Sequence, residues 1–367
     1  MKKTLLITLE FPPFYGGVSN YYYNLASRLP ADKISVLTNQ PVPWSPLSKL
    51  KIYHYNLISQ LPIWPKWLPA LVKIFSLIKK ERVEMVWVGQ VLPLGTISLI
   101  LNIFFKIKYF VSFHGSDLLT AQRNKWKKFL LINIISRADF ITVNSQFTKN
   151  EVLKLKIKKP NILLIYPGVP LIKNRENNLT EKISKSKNII LTVARLTPRK
   201  NIISIIQALP KVIEKQSEIH YFIIGRGPEK EKLEQKINEL NLEKYVSLLT
   251  NISNDQLIDY YQAASLFILL PISYQHEVEG LGIVFLEAAQ FQKPIIASDH
   301  GGCREVVIDQ QTGLIVEPQN LEQISGAILK ILNNQELASK LGEAAKAYVQ
   351  RKFNWEEEAD KLINYLQ

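Results

Sequence analysis

Short apolar runs alternate with longer segments of helical periodicity along the whole chain. The runs that predict strands in the first half are Thr4–Leu9, Ile34–Thr38, Met85–Val88, Tyr109–Phe113, Phe140–Val143 and Ile162–Tyr166. In the second half they are Ile189–Val193, Tyr221–Ile224, Val246–Leu249, Leu266–Leu269, Pro294–Ala297 and Leu314–Val316. The helical patterns between them include Val18–Leu29, Leu68–Lys80 and Trp126–Ser136. Strands that are apolar throughout are buried on both faces, so this alternation predicts parallel sheets covered by helices.

Both halves of the chain show the alternation, which predicts an α/β protein with two Rossmann-like, doubly wound parallel-sheet domains that face a central cleft. The length of 367 residues agrees, because it exceeds the usual size of one domain. The polar segment Pro170–Lys187 is the predicted linker between an N-terminal domain of residues 1–170 and a C-terminal domain of residues 171–353. Residues 354–367 are predicted to form a helix, capped by Asn354, that packs back on the N-terminal domain.

Charge is distributed unevenly along the chain. Residues 1–180 contain 25 Lys and Arg against 8 Asp and Glu, whereas residues 181–367 contain 21 against 24. This asymmetry suggests a polyanionic partner for the first half, such as nucleic acid, an anionic membrane surface or an acidic substrate; a basic surface without a specific partner is the alternative. The single cysteine, Cys303, excludes an internal disulfide framework and thiolate metal clusters. The longest apolar stretch, Leu92 to Phe105, is too short to span a bilayer.

Two pairs of glycines follow predicted strands. Gly16-Gly17 comes after the first strand and before a helix, and Gly301-Gly302 comes after the strand Pro294–Ala297. Such turns let the backbone approach a ligand and expose N–H groups that suit a phosphate, although a tight turn alone explains the same residues. A third glycine at dinucleotide-fingerprint spacing does not follow Gly16-Gly17, which argues against a nicotinamide oxidoreductase.

Charged and polar side chains stand at other strand ends. His114 and Asp117 lie three residues apart after Tyr109–Phe113, where they are expected to bind a hydroxyl and orient each other; a locally satisfied loop histidine is the alternative. Arg195 and Lys200 follow Ile189–Val193 and are placed to reach one diphosphate, unless they belong to a solvated basic turn.

The acidic pair Glu279 and Glu287 brackets a predicted helix start. Gly282 begins the helical pattern, so Glu279 is expected in the preceding loop, facing a sugar, and Glu287 two turns along the helix. Carboxylates accept hydrogen bonds from the paired hydroxyls of a hexose or a ribose. Two carboxylates are also the catalytic pair of glycosidases, and the spacing alone does not exclude that chemistry.

Taken together, these segments resemble glycosyltransferase family 4, of the GT-B fold, nearly from end to end. The segments that carry the resemblance are Gly16-Gly17, His114-Gly115, Arg195 with Lys200, Gly225-Arg226-Gly227-Pro228, Glu279 with Glu287, and Gly301-Gly302 with Glu305. The resemblance implies transfer with retention of anomeric configuration, from a nucleotide-sugar bound mainly by the C-terminal domain.

Site residues follow from the same resemblance. Arg195 and Lys200 would hold the leaving diphosphate, Glu279 the transferred sugar and Glu287 the ribose. The resemblance adds Gly16, Gly17, Gly225, Gly282, Ile283 and Val284 to the donor site, His114 and Asp117 to the acceptor side, and His114 to the catalytic group with Arg195, Lys200 and Glu279.

The stretch from Glu277 to Ala288 is particularly similar to GDP-mannose-using mannosyltransferases that act on phosphatidylinositol mannosides. Two departures weaken the transfer of donor preference: Gln290-Phe291-Gln292 replaces a small turn, and Asn201 stands where many relatives have glycine. The expected donor is therefore a GDP- or UDP-linked hexose of mannose or glucose type. The expected acceptor is a glycan or a lipid-linked glycan, in the synthesis of an envelope polysaccharide or glycolipid.

No cofactor or divalent metal is expected. The chain contains no Asp-x-Asp pair, and Arg195, Lys200 and helix N-termini are able to neutralise the departing diphosphate without an ion. In the family reading, the leaving phosphate itself accepts the proton of the acceptor. A sugar phosphorylase or epimerase of the same fold is the alternative enzyme. A basic nucleic-acid-binding protein is a further alternative that leaves the acids and glycines unexplained, so no nucleic acid is expected as a partner.

The basic N-terminal half suggests a cytoplasmic protein that binds peripherally to the inner face of a membrane. Leu68, Leu71, Val72, Phe75 and Ile78 share one helical face, and Trp44, Trp64, Trp67 and Tyr21-Tyr22-Tyr23 add amphipathic aromatic rings. The favoured alternative is that this apolar face packs on the sheet.

Overall fold

The computed structural model describes residues 1–13, 16–41, 50–60, 62–158, 160–169 and 188–367. The chain divides into two compact units, one formed by Met1–Pro167 with Asn354–Gln367 and the other by Gly168–Phe353. The predicted linker Pro170–Lys187 lies outside the described residues, as does Trp44.

The first unit is built on a seven-stranded sheet whose neighbouring strands are all parallel, in the order β3-β2-β1-β4-β5-β6-β7. Its strands are β1 (Thr4–Thr8), β2 (Ile34–Thr38), β3 (Lys51–His54), β4 (Met85–Val88), β5 (Lys108–Phe113), β6 (Phe140–Val143) and β7 (Ile162–Leu164). The strand order reverses between β1 and β4, and ligands of open α/β sheets bind beyond the carboxyl ends of the strands at such a point.

Helices cover both faces of this sheet. They are α1 (Gly17–Ala26), α2 (Leu68–Glu81), α3 (Thr96–Phe105), α4 (Ser116–Ala121), α5 (Lys125–Arg137) and α6 (Gln146–Leu153), with a short π-helix at Val91–Gly95. Alternate residues of one strand enter different cores: Leu5 and Ile7 pack with α2, α3 and α5, whereas Leu6 packs with α1. This two-sided burial explains why the strands read as continuous apolar runs.

The six predicted strands of this half are confirmed, and β3 was missed. It lies at the edge of the sheet, where Lys51 and His54 are exposed and the two residues between them are half-buried. With polar residues at both ends and no fully buried residue, β3 carries no apolar run.

The second unit has a six-stranded parallel sheet in the order β10-β9-β8-β11-β12-β13. Its strands are β8 (Asn188–Val193), β9 (Ile219–Ile224), β10 (Val246–Leu249), β11 (Leu266–Leu269), β12 (Ile295–Ser298) and β13 (Leu314–Val316). Its helices are α7 (Ile202–Lys215), α8 (Lys230–Glu239), α9 (Asn254–Ala263), α10 (Ile283–Gln290), α11 (Leu321–Leu332) and α12 (Gln335–Lys352), with single 3₁₀ turns at Pro198–Lys200 and Cys303–Glu305. The order reverses between β8 and β11, and all six predicted strands are confirmed.

The last helix, α13 (Trp355–Tyr365), belongs to the first unit. Asn354 caps it by accepting the backbone N–H of Glu356 at 2.9 Å, and the first turn carries Glu356, Glu357 and Glu358, which favour the positive end of the helix. Trp355 and Leu362 are buried in the same core as α1, and Arg28 pairs with Glu356 at 3.0 Å.

One expectation about aromatic and apolar groups was wrong and a second holds in part. Tyr21 and Tyr22 of α1 are buried, so they are core residues and not membrane-facing rings. Of the predicted packing face of α2, Ile78 is buried and Leu71 and Phe75 pack against the core, whereas Leu68 and Val72 are 42% and 66% exposed. None of the described helices is long and apolar enough to cross a membrane.

Candidate active site

The loop after β8 carries three cations, Arg195, Arg199 and Lys200, beside the point where the strand order of the second sheet reverses. Leu196 donates its N–H to the carbonyl of Arg226 at 2.8 Å, and Ala194 donates its N–H to the carbonyl of Ile224 at 3.0 Å. These hydrogen bonds join the loop after β8 to the loop after β9. Gly225 permits this approach, because a Cβ there would lie 1.8 Å from the carbonyl oxygen of Ala194. Its observed role is therefore packing, and its expected contact with a donor stays a prediction.

Glu279, in the loop after β11, is held by two cations from the loop after β8. Arg199 Nη1 lies 2.7 Å from Glu279 Oε2, and Lys200 Nζ pairs with the same oxygen. Lys200 is only 7% exposed, so this is a largely buried ion cluster. Burial alone would raise the pKa of Glu279, but the charges of Lys200 and Arg199 outweigh it and hold that pKa below its usual range.

This arrangement adds Arg199 to the cations that the sequence singled out, while the expectation that Arg195 and Lys200 reach one diphosphate stays a prediction. Arg195 is exposed, and among the described residues its side chain has no ion-pair partner, whereas Arg199 sits with Lys200 on Glu279. Arg199 was missed because the basic run Arg195 to Lys200 does not reveal which residues of a 3₁₀ turn face inward. Glu279 was expected to face a sugar, but its Oε2 is engaged by these two cations.

The second glycine pair supports the Glu279 loop. Gly302 donates its N–H to the Glu279 carbonyl at 2.9 Å, and a Cβ on Gly301, whose φ is +65°, would lie 2.0 Å from that same oxygen. The expectation that Gly301-Gly302 offers N–H donors to phosphate is thus wrong for Gly302, whose donor is already used. The glycines are needed because two backbones pass in direct contact.

Helix α10 begins directly after this loop. Gly282 adopts φ +86°, where a Cβ would lie 2.5 Å from the Phe285 ring, and no side chain caps the helix. The predicted helix start is confirmed. The N–H groups of Ile283 and Val284 open the first turn, where no intrahelical acceptor exists, so they are available to an anion.

Glu287, one turn further on, is half-buried in a different environment from Glu279. Tyr261 donates its hydroxyl to Glu287 Oε2 at 2.7 Å, and the Tyr261 ring stacks on Phe291 with centroids 5.4 Å apart. Burial raises the pKa of Glu287 although the Tyr261 hydrogen bond opposes the shift. Tyr261 was also missed, because α9 carries it and no motif marks it.

In the first unit, Gly16 and Gly17 precede and open α1. Gly16 is the N-cap residue with extended backbone and no side-chain cap, and its carbonyl accepts the N–H of Asn20 at 3.0 Å. Phe14 and Tyr15, directly before this glycine pair, lie outside the described residues.

His114 follows β5, and its ring is bound by aromatic side chains. His114 Nε2 lies 2.7 Å from the hydroxyl of Tyr22, and the rings of Tyr21 and Tyr22 meet the imidazole edge-on with centroids 4.9 and 5.2 Å away. Burial lowers the pKa of His114 to about 3, so the ring is neutral.

Asp117 does not orient the His114 ring, contrary to expectation. Its carboxylate accepts the backbone N–H of His114 at 2.9 Å, because both residues lie in the turn that opens α4. Burial raises the pKa of Asp117 to about 6. The pair therefore fixes the loop, while the tyrosines, which no motif marked as functional, fix the ring.

Two family models match the chain in tandem. "Glycosyltransferase Family 4" matches residues 15–173, and "Glycosyl transferases group 1" matches residues 174–348. The chain is similar to the GDP-mannose-dependent alpha-(1-6)-phosphatidylinositol monomannoside mannosyltransferase of Mycobacterium tuberculosis, with 24% identity over 384 residues that cover 100% of this chain and 98% of the relative. It is 30% identical over 283 residues to the alpha-1,3/1,6-mannosyltransferase ALG2 of Mus musculus, covering 69% and 66% of the two chains.

Solved structures of glycosyltransferases share the fold. Sucrose-phosphate synthase from Thermosynechococcus elongatus matches with a TM-score of 0.84 at 23% identity, covering 100% of this chain and 98% of the other. Anabaena HepE in complex with UDP and glucose matches with a TM-score of 0.84 at 18% identity, covering 100% and 99%. The predicted GT-B class, with its two parallel-sheet α/β domains, is thereby confirmed.

Proposed function

This chain belongs to glycosyltransferase family 4, as the family 4 model over residues 15–173 and the group 1 model over residues 174–348 indicate, and we propose that it transfers a hexose from a nucleotide-sugar with retention of anomeric configuration and without a divalent metal. The observation that carries the proposal is the cluster of Arg199, Lys200 and Glu279 beside the start of α10. Two cations face one carboxylate there, so the cluster has a spare positive charge for a diphosphate.

The chemistry of the leaving group supports this assignment. Breaking the bond between sugar and phosphate places negative charge on the diphosphate, and preorganised donors stabilise that charge best where water is excluded. We assign to this diphosphate the side chains of Lys200 and Arg195 and the N–H groups of Ile283 and Val284. Gly225, in the adjoining loop, is assigned to the same donor site. Glu279 then offers its remaining oxygen to hydroxyls of the transferred sugar, while Arg199 keeps the carboxylate ionised.

Glu287 is assigned to the ribose. Its carboxylate is anchored by Tyr261 through one oxygen, so the other oxygen is left to accept ribose hydroxyls. In the first unit, Gly16 and Gly17 are assigned to the diphosphate, and His114 and Asp117 to the acceptor side. Retention without a protein base is supported by the family, in which the leaving phosphate takes the proton of the acceptor.

Donor identity is the part of the proposal that a binding screen decides. Relatives are named for GDP-mannose, and fold neighbours were solved with UDP and with UDP-glucose. Calorimetry against GDP, UDP and ADP and their sugars, with and without EDTA, should show one nucleotide that binds selectively and equally well in EDTA. Binding that EDTA abolishes would refute the metal-free site, and a sugar product of inverted configuration would refute retention.

The acceptor is proposed to be a glycan or a lipid-linked glycan reached at a membrane surface. Helices α2, α3 and α5 lie side by side, with the Phe75 and Phe105 rings 4.3 Å apart, and they expose Leu68, Val72, Phe104, Phe105, Trp126 and Phe129. We call these six residues the apolar surface. Trp126 and Phe129 stack with centroids 5.9 Å apart while 65% and 57% exposed.

Charge complementarity favours an anionic bilayer as the partner of the apolar surface. Lys79, Lys80, Lys106, Lys125, Lys127 and Lys128 are all exposed around it. The acid that these three helices contain, Glu81, is buried and bound to Lys51 at 2.8 Å. Aromatic rings among lysines are typical of interfacial binding, and anionic lipids are concentrated in the cytoplasmic leaflet, so we propose peripheral binding there.

Co-sedimentation tests the membrane proposal. Wild type should pellet with vesicles that contain phosphatidylglycerol and much less with phosphatidylcholine alone. Lys128→Glu and Trp126→Ala should each reduce binding, by about fivefold or more for the charge reversal because each surface lysine contributes about 1 kcal/mol. Lys244→Glu, an exposed lysine of the second unit, is the matched control. Equal binding to both vesicle types would contradict the proposal.

A further inference from the structure

The hydroxyl of Tyr22 lies between two partners, a backbone carbonyl and an imidazole. It donates to the carbonyl of Gly89, the residue after β4, and it lies 2.7 Å from His114 Nε2. Tyr22 is fully buried, so water does not compete for either contact. The direction of each hydrogen bond is therefore fixed by what each group is able to donate.

The tautomer of His114 follows from that inventory. A carbonyl oxygen only accepts, and a tyrosine hydroxyl has a single proton, so the proton of Tyr22 points to Gly89. The Tyr22 oxygen must then accept a proton from His114, which places the hydrogen of the neutral imidazole on Nε2. The remaining ring nitrogen, Nδ1, carries a lone pair and acts only as an acceptor.

Neighbouring contacts keep the ring from turning away. Tyr21 packs edge-on against His114 and is itself fixed by its hydroxyl, which donates to the Ile165 carbonyl at 3.0 Å. Trp355 of α13 supports Tyr21 with ring centroids 5.9 Å apart. Asp117 holds the backbone of His114, as described above, so both the loop and the ring are constrained.

We propose that Tyr22 is a positioning residue that locks His114 as the Nε2–H tautomer, so that Nδ1 selects a sugar hydroxyl. An acceptor nitrogen receives a hydrogen bond from a hydroxyl, but it repels a phosphate oxygen, which has no proton to give. His114 is thereby matched to a sugar and mismatched to the diphosphate. The inference deepens the proposed function and rests on it, since it names the group that His114 recognises.

Nitrogen NMR of the protein labelled at its five histidines tests the lock without any substrate. The His114 signals, assigned by their loss in His114→Gln, should show a protonated Nε2 and an unprotonated Nδ1 in wild type. Tyr22→Phe keeps the ring but removes the acceptor, so it should give a mixture of tautomers. Tyr21→Phe removes a hydroxyl that does not touch His114 and should leave the tautomer unchanged. A wild type protonated on Nδ1, or a Tyr22→Phe protein with an unchanged tautomer, would overturn the lock.

Titrations then identify the source of the hydroxyl. GDP-mannose and UDP-glucose, each compared with its nucleoside diphosphate, should shift the Nδ1 signal if the hydroxyl belongs to the donor sugar. A shift caused only by methyl α-mannoside would assign it to the acceptor. No shift with any of these probes would refute recognition by His114.

Transfer kinetics supply the functional readout. Tyr22→Phe should lower kcat/KM by about 10- to 100-fold, the range known for removal of the outer hydrogen-bond partner of a metal-binding histidine. Unchanged kcat/KM with a mixed tautomer would refute the functional part of the inference. If no sugar transfer is found in wild type, the proposed function fails while the tautomer result still decides the lock.

Discussion

The carboxyl edges of the two sheets have the same topology and opposite chemistry. In the second unit, the loops after β8 and β11 bring together Arg199, Lys200 and Glu279, a buried cluster of full charges. In the first unit, the loop after β5 holds His114 between two tyrosines, and burial keeps that histidine neutral. The same fold therefore has one edge with paired full charges, which we call the charged edge, and one edge where burial disfavours charge, which we call the uncharged edge.

The difference corresponds to the two chemical tasks of sugar transfer. A departing diphosphate requires fixed positive charge, whereas a sugar presents hydroxyls that neutral donors and acceptors distinguish best. Glu279 and Asp117 show the same division, because ion pairs lower the pKa of Glu279 while burial raises the pKa of Asp117 to about 6. Glu287 of the second unit has no ion pair of this kind, and burial raises its pKa as well. Substitutions that affect only one of these edges are the way to test the division.

The largest effect is expected from Lys200→Ala. It removes a charge assigned to the leaving group, so kcat should fall by about 10²- to 10³-fold, as for the loss of one preorganised donor. It also leaves Glu279 with a single cation in a buried site, which should lower the free energy of unfolding by about 1–3 kcal/mol. Steady-state kinetics and urea unfolding measure the two effects.

Arg195→Ala is the control that separates the two roles. Because Arg195 is exposed, its removal should change the free energy of unfolding by less than about 0.5 kcal/mol while still lowering kcat. Wild-type turnover in both variants would remove the basis for the diphosphate assignment.

Gly301→Ala should damage the charged edge through the backbone. The new Cβ meets the Glu279 carbonyl at 2.0 Å and forces alanine into φ +65°, a conformation that costs about 1–3 kcal/mol before any clash is counted. We expect lower stability and weaker donor binding by calorimetry. Gly326→Ala is the matched control, since nothing lies within 4 Å of its Cβ in α11 and alanine should stabilise that helix by up to about 1 kcal/mol. Equal effects of the two substitutions would show that Gly301 is not a close-contact position.

The sequence predicted the fold more completely than the site, for a physical reason. Apolar runs predicted every described strand except the edge strand β3, because most of these strands are buried on both faces. Helix starts were visible too, because Gly282 and Asn354 have the residue types that a left-handed turn and an N-cap require.

Side-chain pairing across loops leaves no such pattern. The sequence indicated that Glu279 and Lys200 mattered, but not that they bind each other, or that Arg199 rather than Arg195 joins them. Tyr22 was read as an exposed aromatic because a run of three tyrosines does not reveal the face of α1 on which each one lies. Contacts between residues 92 positions apart, such as Tyr22 with His114, depend on topology.

The two glutamates of the second unit should respond in opposite directions to the loss of charge. Glu279→Gln removes the charge from an ion-paired carboxylate and should destabilise the protein. Because the pKa of Glu279 is lowered, the loss in free energy of unfolding relative to wild type should be full near pH 7 and shrink as pH falls below the ordinary value of 4.5.

Glu287→Gln keeps an acceptor for Tyr261 and removes a charge that burial disfavours, so stability should hold or rise while donor affinity falls about tenfold. Urea unfolding at several pH values decides the signs, and a stabilising Glu279→Gln would contradict the ion-pair account.

The smallest effect is expected from Asp117→Asn in the uncharged edge. Asparagine still accepts the backbone N–H of His114, so the turn survives. Burial raises the pKa of Asp117 from 3.8 to about 6. Ionised Asp117 therefore costs the folded state stability relative to the unfolded state, and this cost is complete above about pH 6. Relative to wild type, the variant should therefore gain stability at pH 7 and lose that gain as pH falls through 6 toward 3.8, the reverse of the behaviour expected for Glu279→Gln.

Asp139→Asn serves as the control for this pH dependence, since its carboxylate also accepts a backbone N–H, from Tyr109 at 3.2 Å, but at an exposed position. Urea unfolding of the three proteins between about pH 4 and 7 isolates the contribution of burial, because the substitution and the type of hydrogen bond are the same at both sites. If Asp117→Asn and Asp139→Asn follow the same curve, the first edge does not penalise charge. The contrast between a neutral and a charged edge would then rest on His114 alone.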